Sequence, residues 1–417
     1  MTAENGANES FAKVIDVRGL YCPEPVFRTK IEIEKLGIGD KLKIIADDPE
    51  SEEDITRWAD KTGHNLLSIE KKDNDLEFVI KKNKVNKMTS IIGPEIIQRI
   101  GNTPLYELTS YSTENIKFYA KLEWYNPFGS VKDRAAYWMI KDAEKKGLLV
   151  KNKSIIIEPT SGNTGIALTG IASSMGYKVE IVIPEKVSEE TKRILRNLGA
   201  TLHETSDDLC PRVGAGTDQS IALATAIAKP RSDVYYMPNQ YENDSNFLAH
   251  YESTGPEIWE QTNGKVTHFF TGCGTGGTIT GTGTFLKEKK DNLQVVAIQA
   301  QQNHLLQGLR NFEESSMPDL FKRREKVVDR WMTATNQDSF NTVKDLLNKE
   351  GLFVGPSSGS VMSSMLKFSK EIDKGVIVGI FADDGRKFKS LYKEQKVLAE
   401  SDYLSALDKL PELYIKQ

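Results

Sequence analysis

The chain has 417 residues, enough for about two or three globular units with hydrophobic cores of their own. Its 55 basic and 59 acidic residues are mixed along the chain and give a net charge of −4, so no polyanion-binding field is indicated and nucleic acid is not an expected partner. The polar N-terminus MTAENGANES has no apolar secretion core, and no apolar run approaches the roughly 18 residues of a membrane span, so we expect a cytoplasmic protein without a membrane partner.

The first part of the chain predicts a small α+β unit over residues 12–83. Strand and helix patterns alternate there, in the order AKVIDV, PVFRTKIEIEKLG, KLKIIA, EDITRWADKTG and LEFVI. The stretch KKNKVNKMTS is basic, polar and without periodicity, which predicts a linker at residues 84–90.

The rest of the chain, residues 91–417, predicts an α/β unit long enough for two lobes. Short apolar strands alternate with helical stretches; the strands are KSIIIEP, KVEIVIP, VYYMP, VTHFF, LQVVAI and VIVGIF, and the helices include GIALTGIASSMG, SEETKRILRNLGA and FNTVKDLLNKEG. Such alternation is typical of parallel sheets whose two faces are covered by helices.

Cysteine usage indicates free thiols. The three cysteines, Cys22, Cys210 and Cys273, are too few and too scattered for a disulfide framework or a CxxC-type metal site. We therefore predict no metal site.

The predicted turn NPFGSVKDR places Lys132 at the start of the helical stretch RAAYWMIKDAEKKG. A helix N-terminus favours anions and disfavours an ammonium, so this position lowers the pKa of the amine. A lysine with a lowered pKa is what Schiff-base chemistry needs, although this residue taken alone could also be a solvated surface lysine.

A second polar turn, EPTSGNTGIALTG, offers Thr160, Ser161, Asn163 and Thr164 between a strand and a helix. Hydroxyls, an amide and free backbone N–H groups at a helix N-terminus can bind a carboxylate, although a simply capped helix has the same residues. A similar turn, GPSSGS, follows the predicted strand LFV and opens another helix.

A glycine-rich turn follows the strand VTHFF. In TGCGTGGTITG, Gly272, Gly274 and Gly277 match GxGxxG before a helix, a pattern that can cradle a phosphate on backbone amides. This motif alone is weak, because a tight strand-to-helix turn without a ligand can have the same glycines.

The neighbourhood of this turn favours a single phosphate over a dinucleotide. A dinucleotide fold needs an acidic residue about 20 residues further on, but the next strand offers Gln299 and Gln301, which argues against NAD. The hydroxyls of Thr275 and Thr278 suit a phosphate monoester.

Five motifs together resemble one enzyme family. GNTPL, NPFGSVKDR, PTSGNTG, GTGGT and GPSSG occur in the order and approximate spacing of cysteine synthases and cystathionine β-synthases, so residues 91–417 resemble the fold-type II pyridoxal phosphate enzymes over nearly their whole length. The resemblance implies pyridoxal 5'-phosphate as cofactor and a homodimer. The residues that it implies are Lys132 for the Schiff base, Asn163 at the phenolic oxygen, Gly274, Thr275, Gly276, Gly277 and Thr278 around the phosphate, Ser357 at the pyridine nitrogen, and Thr160, Ser161, Thr164 and Gln240 at the substrate carboxylate.

The resemblance also implies a reaction. A hydroxyl such as that of Ser357 cannot keep the pyridine nitrogen protonated as a carboxylate would, so the ring is a moderate electron sink suited to β-replacement. Lys132 would then remove the α-proton of an activated serine, and a sulfur nucleophile would complete L-cysteine.

The segment HLLQGLRNFEESSMPDLF bears on the leaving group. Arg310 lies where cysteine synthases that use O-phosphoserine carry a phosphate-binding arginine, and a guanidinium suits a phosphate dianion by charge and geometry. We therefore favour O-phosphoserine over O-acetylserine. The alternative is a surface arginine paired with Glu313 or Glu314.

The stretch DVRGLYCPEPVFRTK, with KLKIIADDPESEEDI after it, resembles the TusA-type sulfur carriers, in which the cysteine at the position of Cys22 carries a persulfide. A thiol at a helix N-terminus has its thiolate favoured, which agrees with that role. The resemblance implies an upstream sulfur donor protein as partner. Cys22 would deliver sulfur directly or as free sulfide, to its own enzyme unit or to that of another subunit.

Two other functions stay open at this point. The segments PEKVSEE and NQYENDSNFLAHYESTGPEIW are similar to cystathionine β-synthase, whose activity is the nearest alternative. The other alternative is a sulfur-relay scaffold without catalysis.

Overall fold

The computed structural model describes residues 10–20, 24–62, 64–73, 75–83, 94–160, 162–185, 187–206 and 216–398. The chain divides into two compact units, Met1–Gly93 and Pro94–Gln417. The predicted linker, residues 84–90, lies outside the described residues, and the limits 12–83 and 91–417 stay predictions.

The small unit is a two-layer α+β fold. Its elements are β1 (Lys13–Asp16), α1 (Glu24–Glu34), β2 (Lys41–Ala46), α2 (Ser51–Thr62), β3 (Asn65–Lys72) and β4 (Asp75–Lys81). The sheet has the order β1-β2-β4-β3, in which β1 is parallel to β2 and the other pairs are antiparallel. Ile33 and Ile55 of the two helices pack with Leu42, Ile44 and Phe78 of the sheet in one buried core.

The sequence analysis predicted three strands in the small unit, but the structure has four, and the strand that was missed is β3. Its sequence NLLSIEKK ends in charged residues, and its side chains are exposed or half-buried because it forms an edge of the sheet. A register shift between Leu66 and Ser68 further interrupts the alternation that reveals a strand in a sequence.

The large unit contains two sheets surrounded by helices. Its elements are β5 (Leu105–Glu107), β6 (Ile116–Leu122), α3 (Lys132–Lys145), β7 (Ile155–Pro159), α4 (Asn163–Ser174), β8 (Lys178–Pro184), α5 (Glu189–Asn197), β9 (Ala200–Thr205), α6 (Gly216–Ala228), β10 (Tyr235–Tyr236), α7 (Asp244–Ala249), α8 (Gly255–Gln261), β11 (His268–Gly272), α9 (Gly277–Lys289), β12 (Gln294–Ala300), α10 (Asp319–Lys322), β13 (Arg330–Ala334), α11 (Asn336–Glu350), α12 (Pro356–Phe368), β14 (Gly375–Phe381) and α13 (Lys389–Glu394).

The two sheets confirm the predicted α/β class with parallel strands. One has the order β10-β7-β8-β9 and is parallel throughout, and the other has the order β13-β12-β11-β14-β6-β5, in which only β5 is antiparallel to its neighbour. Separate buried cores pack on the two sheets, so the large unit has two lobes.

The predicted strand LFV before GPSSGS is wrong. Of these residues only Val354 takes part in β-pairing, as an isolated bridge to Asp384. Gly351, with φ of 69°, ends α11, and Pro356 begins α12, so too few residues remain between the helices for a strand.

No helix among the described residues is long and apolar enough to cross a membrane. Nor does any group of three or more potential metal ligands occur in the part of the chain that the structure describes.

Candidate active site

A cavity of about 190 Å³ lies between the two lobes of the large unit. It lies where β7, β11 and β14 end and where α3, α4, α9 and α12 begin, the usual place for a ligand in parallel α/β folds. The predicted residues that line it are Lys132, Thr160, Asn163, Thr164, Gln240, Gly274, Thr275, Gly276, Thr278, Arg310 and Ser357. Ser161 and Cys22 lie outside the described residues.

Lys132 is the first residue of α3. Its side chain is half-buried, since it faces the cavity while protein surrounds it, and this burial lowers the pKa of its amine. Asp383 and Glu123 oppose the shift electrostatically, but no described carboxylate forms an ion pair with Lys132. The predicted lowering of the pKa of Lys132 is therefore found, with burial as its main cause.

A buried ionic cluster fixes the first turn of α3. The guanidinium of Arg134 binds Glu123 at 2.8 Å and Glu257 at 2.6 Å, and Lys121 binds Glu257 at 2.6 Å. The two cations hold the pKa of Glu257 at about 2 despite its burial. Because an unpaired buried charge costs about 3–5 kcal/mol, this cluster resists displacement of the helix that carries Lys132.

The glycine loop before α9 leaves no space for side chains. Gly276 has φ of 89°, and a Cβ there would overlap Phe321. A Cβ at Gly277 would overlap the amide of Asn246, and one at Gly274 would lie 2.7 Å from the carbonyl oxygen of Gly308. The first N–H groups of α9 lack intrahelical partners, so the loop is a cradle for an anion at a helix N-terminus.

His250 stands behind this cradle and was missed by the sequence analysis. It is buried in the π-helical turn His250–Thr254, with Nδ1 2.9 Å from the hydroxyl of Thr254 and Nε2 3.2 Å from that of Thr278. Burial, with Arg134 and Lys132 nearby, lowers its pKa well below the usual range, so the ring is neutral. It joins Thr278 to the protein interior through two hydrogen bonds.

Thr164 and Gln240 form the polar wall of the cavity next to Thr160. The hydroxyl of Thr164 donates to Gln240 Oε1 at 2.7 Å. Asn246 donates from Nδ2 to the carbonyl of Gln240 at 2.8 Å and to the hydroxyl of Thr275 at 3.0 Å. Asn246, also missed by the sequence analysis, thus joins the predicted carboxylate pocket to the glycine loop.

Asn163, the first residue of α4, connects to two charged residues after β14. Its Nδ2 donates to Asp383 Oδ2 at 2.7 Å, and its Oδ1 accepts from Lys387 at 2.8 Å. Asp383 is 2% exposed, and burial raises its pKa. The pair of acidic residues directly after the strand VIVGIF was the only sequence signal for this cluster.

Arg310 extends along the cavity wall with its guanidinium 4.8 Å from the ring centroid of Tyr241. Glu313, one of the acids considered as its partner, instead accepts from Gln302, and Glu314 accepts from the backbone of Asn303. No salt bridge of Arg310 occurs within the described part of the chain. Ser357, which also lines the cavity, lies in the first turn of α12 and is 8% exposed.

These features together fit an enzyme that binds a phosphorylated cofactor beside a lysine. The sequence agrees: residues 96–383 match the family of pyridoxal-phosphate dependent enzymes, and residues 13–82 match the sulfurtransferase TusA family. The chain therefore belongs to the pyridoxal-phosphate dependent enzymes, with pyridoxal phosphate as its cofactor, and carries an N-terminal TusA unit.

Three relatives illustrate the similarity. Cysteine synthase from Aquifex aeolicus is 41% identical over 302 residues, which cover 70% of this chain and 90% of that protein. Cystathionine beta-synthase from Apis mellifera is 40% identical over 70% of this chain and 60% of its own length. The crystal structure of a hydrogen sulfide-producing enzyme from Fusobacterium nucleatum is 34% identical, with a TM-score of 0.65, and the match covers 70% of this chain and 98% of that one.

The described residues fit pyridoxal phosphate in shape and chemistry. The crowded glycine loop offers a cradle for its phosphate, and Lys132 offers an amine for its aldehyde, with a pKa that burial lowers. The buried Oδ1 of Asp383 has no hydrogen-bond partner among the described residues, so an unused acceptor lies next to Asn163.

Proposed function

We propose that this chain makes L-cysteine by β-replacement on an activated serine, with O-phosphoserine preferred to O-acetylserine. Its relatives include cysteine synthases, and the cavity has the groups that this reaction requires. The protein would act in the cytoplasm as a homodimer. The preference for O-phosphoserine is supported by Arg310, whose guanidinium lies on the cavity wall without a carboxylate partner among the described residues.

In this proposal each group in the cavity has a separate role. Bound pyridoxal phosphate supplies an electron sink for the α-carbon of the substrate. Lys132, whose pKa is lowered by burial, accepts the α-proton. Thr160, Thr164 and Gln240 hold the substrate carboxylate. Ser357 faces the pyridine nitrogen with a hydroxyl, which can donate or accept without fixing a proton there.

Arg310 would bind the leaving phosphate. Its stacking on Tyr241 is a cation–π contact that holds the guanidinium plane while its N–H groups stay available. Its hydrogen bond to the carbonyl of Ser316, at 3.5 Å, is long and therefore easily exchanged. An acetyl ester has no charge for this group to bind.

The test compares kcat/KM for the two substrates in Arg310→Ala, with sulfide as the nucleophile. Hydrogen bonds to a charged group contribute about 1.5–3 kcal/mol, so we expect a loss of about 10-fold to 150-fold with O-phosphoserine and little change with O-acetylserine. Arg324→Ala is the matched control, because Arg324 also stacks on an aromatic ring, that of Phe247, but does not line the cavity. Equal losses with both substrates would refute the assignment.

Cystathionine β-synthase activity is a second candidate, supported by the similarity to the Apis mellifera enzyme. An assay with homocysteine in place of sulfide separates the two functions. Faster turnover with homocysteine than with sulfide would make cystathionine synthesis the favoured function. A scaffold without catalysis would form no product with either nucleophile.

The TusA unit would supply the sulfur. We propose that an upstream donor protein loads Cys22 with a persulfide. In direct delivery phosphate leaves the β-carbon after Lys132 has taken the α-proton, and the terminal persulfide sulfur then bonds to the β-carbon. Return of the proton from Lys132 to the α-carbon gives a mixed disulfide between Cys22 and cysteine. A thiol reductant then cleaves that disulfide and releases cysteine. The alternative is that a thiol first releases free sulfide from Cys22.

A further inference from the structure

The side-chain amide of Asn163 lies between two opposite charges. The ammonium of Lys387 donates to its Oδ1 at 2.8 Å, and its Nδ2 donates to Asp383 Oδ2 at 2.7 Å. Lys387 and Asp383 are too far apart to form a salt bridge with each other, so the amide is the bridge between them. The three residues face the same cavity as Lys132.

This arrangement permits only one orientation of the amide. If the amide were flipped, its NH₂ group would face an ammonium that has only donors, and its oxygen would face a carboxylate that has only acceptors. Hydrogen bonds to charged groups are the stronger kind, and both would be lost together. The two charges therefore determine where both N–H bonds of Asn163 point.

Each of the two charged side chains lies against the backbone of a glycine. Lys387 also donates to the carbonyl of Gly129, in the turn before Lys132, at 2.8 Å. Asp383 closely approaches Gly355, where any Cβ would overlap its Oδ1. The glycine of GPSSGS is thus required by this carboxylate.

We propose that Lys387 and Asp383 are positioning residues, which orient the amide of Asn163 so that its second N–H points at the phenolic oxygen of pyridoxal phosphate. The inference rests on the proposed role of Asn163. One N–H is taken by Asp383, and the other has no acceptor among the described residues. Removal of either charge leaves that donor unaligned while Asn163 itself stays in place.

The test uses the full chain with Lys387→Met, which keeps the length of the side chain, and Lys387→Arg, which restores the charge. Lys393→Met, at an exposed lysine on α13, is the matched control. In the protein without cofactor, the ¹H–¹⁵N resonances of the Asn163 side chain report its hydrogen bonds, and their absence in Asn163→Ala assigns them. In the protein with cofactor, the visible absorption maximum, its pH titration and the cofactor dissociation constant are measured.

We expect Lys387→Met to move the Asn163 side-chain resonances, to shift the absorption maximum and to weaken cofactor binding about tenfold, the usual effect of one hydrogen bond. Lys387→Arg should recover most of each change, and Lys393→Met should show none. Asp383→Asn is the second variant and should move the same signals even if Lys387→Met folds poorly.

Two results would overturn the inference. Unchanged side-chain resonances in Lys387→Met and Asp383→Asn would show that the charges do not orient the amide. Moved resonances with an unchanged absorption spectrum, in these variants and in Asn163→Ala alike, would show that Asn163 does not contact the cofactor. Neither readout depends on turnover, so a failure of the proposed cysteine synthesis is recognised separately.

Discussion

At the scale of single residues, Glu158 shows how a buried acid can hold a loop of the cavity wall in place. Its two carboxyl oxygens accept from the backbone N–H groups of Asn239 and Gln240, at 2.9 and 3.1 Å. Burial is the largest influence on this carboxyl and raises its pKa to about 7, while these two bonds oppose the shift. The loop that presents Gln240 is therefore held by a group that titrates near neutrality.

We predict that Glu158 makes stability depend on pH. A carboxyl whose pKa is raised from 4.5 to about 7 by folding stabilises the folded state below pH 4.5, and that contribution is lost as the pH rises through 7. The difference in unfolding free energy between the natural chain and Glu158→Gln should fall by up to roughly 3 kcal/mol over this range. Denaturant titrations at pH 5, 6, 7 and 8 would measure it, since those values cover most of the transition.

Glu325→Gln is the control, because it also removes one carboxyl but at an exposed position. Asp133, whose pKa burial also raises to about 7, is present in every variant and cancels from the difference. If stability followed the same pH curve in Glu158→Gln as in the natural chain, the assignment would be wrong.

The candidate residues that could be predicted from the sequence are those in local motifs. Lys132, Asn163 and Gly276 occur in turns whose residues and spacing are distinctive on their own. Asp383 and Lys387 could not be predicted, because each reaches its partner Asn163 across more than 200 residues of chain. His250 was missed for a related reason: its partner Thr278 is on another helix, and a lone histidine in a helix indicates no function.

At the scale of elements, the start of α9 depends on a glycine that is both left-handed and crowded. We predict that Gly276→Ala lowers the unfolding free energy by roughly 2–4 kcal/mol, through backbone strain and overlap with Phe321. Cofactor binding should weaken too, since the cradle must shift. Denaturant unfolding and a cofactor titration would measure the two effects.

Gly176→Ala separates strain from crowding. Gly176 has φ of 86°, and a Cβ there would have no atom within 4 Å, so this variant has the strain alone. Its unfolding free energy should fall by roughly 1–2 kcal/mol, and it should bind the cofactor normally. Equal losses in the two variants would mean that contact with Phe321 is unimportant.

Two of the predicted strands of the large unit lie inside a sheet and are mostly buried. LQVVAI and VIVGIF are continuous apolar runs, and they form β12 and β14 in the middle of the six-stranded sheet. Strand β6 was missed because IKFYAKL includes Lys121, whose charge suggests an exposed position. That lysine is in fact fully buried through its ion pair with Glu257, a long-range contact that no local pattern reveals.

At the scale of the whole molecule, the chain joins two units that each have their own core and their own relatives. Covalent linkage raises the local concentration of a carrier around its acceptor, which is the advantage of such a fusion. Both units were predicted from their motifs, since CPxP and the five enzyme motifs occur in separate parts of the chain.

We predict that Cys22 is required when a persulfide is the only sulfur source. With O-phosphoserine and a persulfide donor, Cys22→Ser should abolish cysteine formation, because the carrier cannot be loaded. The same variant should remain fully active with added sulfide, since its pocket is intact. Cysteine formation would be followed with isotopically labelled donor sulfur, and Cys210→Ser is the control.

Mass spectrometry of the intact chain distinguishes the two delivery routes. A cysteine adduct on Cys22 during turnover supports direct transfer, and loss of product when a sulfide trap is added indicates release of free sulfide. Full activity of Cys22→Ser with the persulfide donor would contradict the carrier role.

The thiol of Cys273, in the glycine loop, is unreactive in the folded protein. Its side chain is fully buried, and burial raises the pKa of the thiol, so the nucleophilic thiolate hardly forms. The chain thus has a cysteine beside its pocket that alkylating reagents and oxidants do not reach while the fold is intact. Labelling of the native chain should therefore leave Cys273 unmodified, and this thiol should react only when the enzyme unfolds.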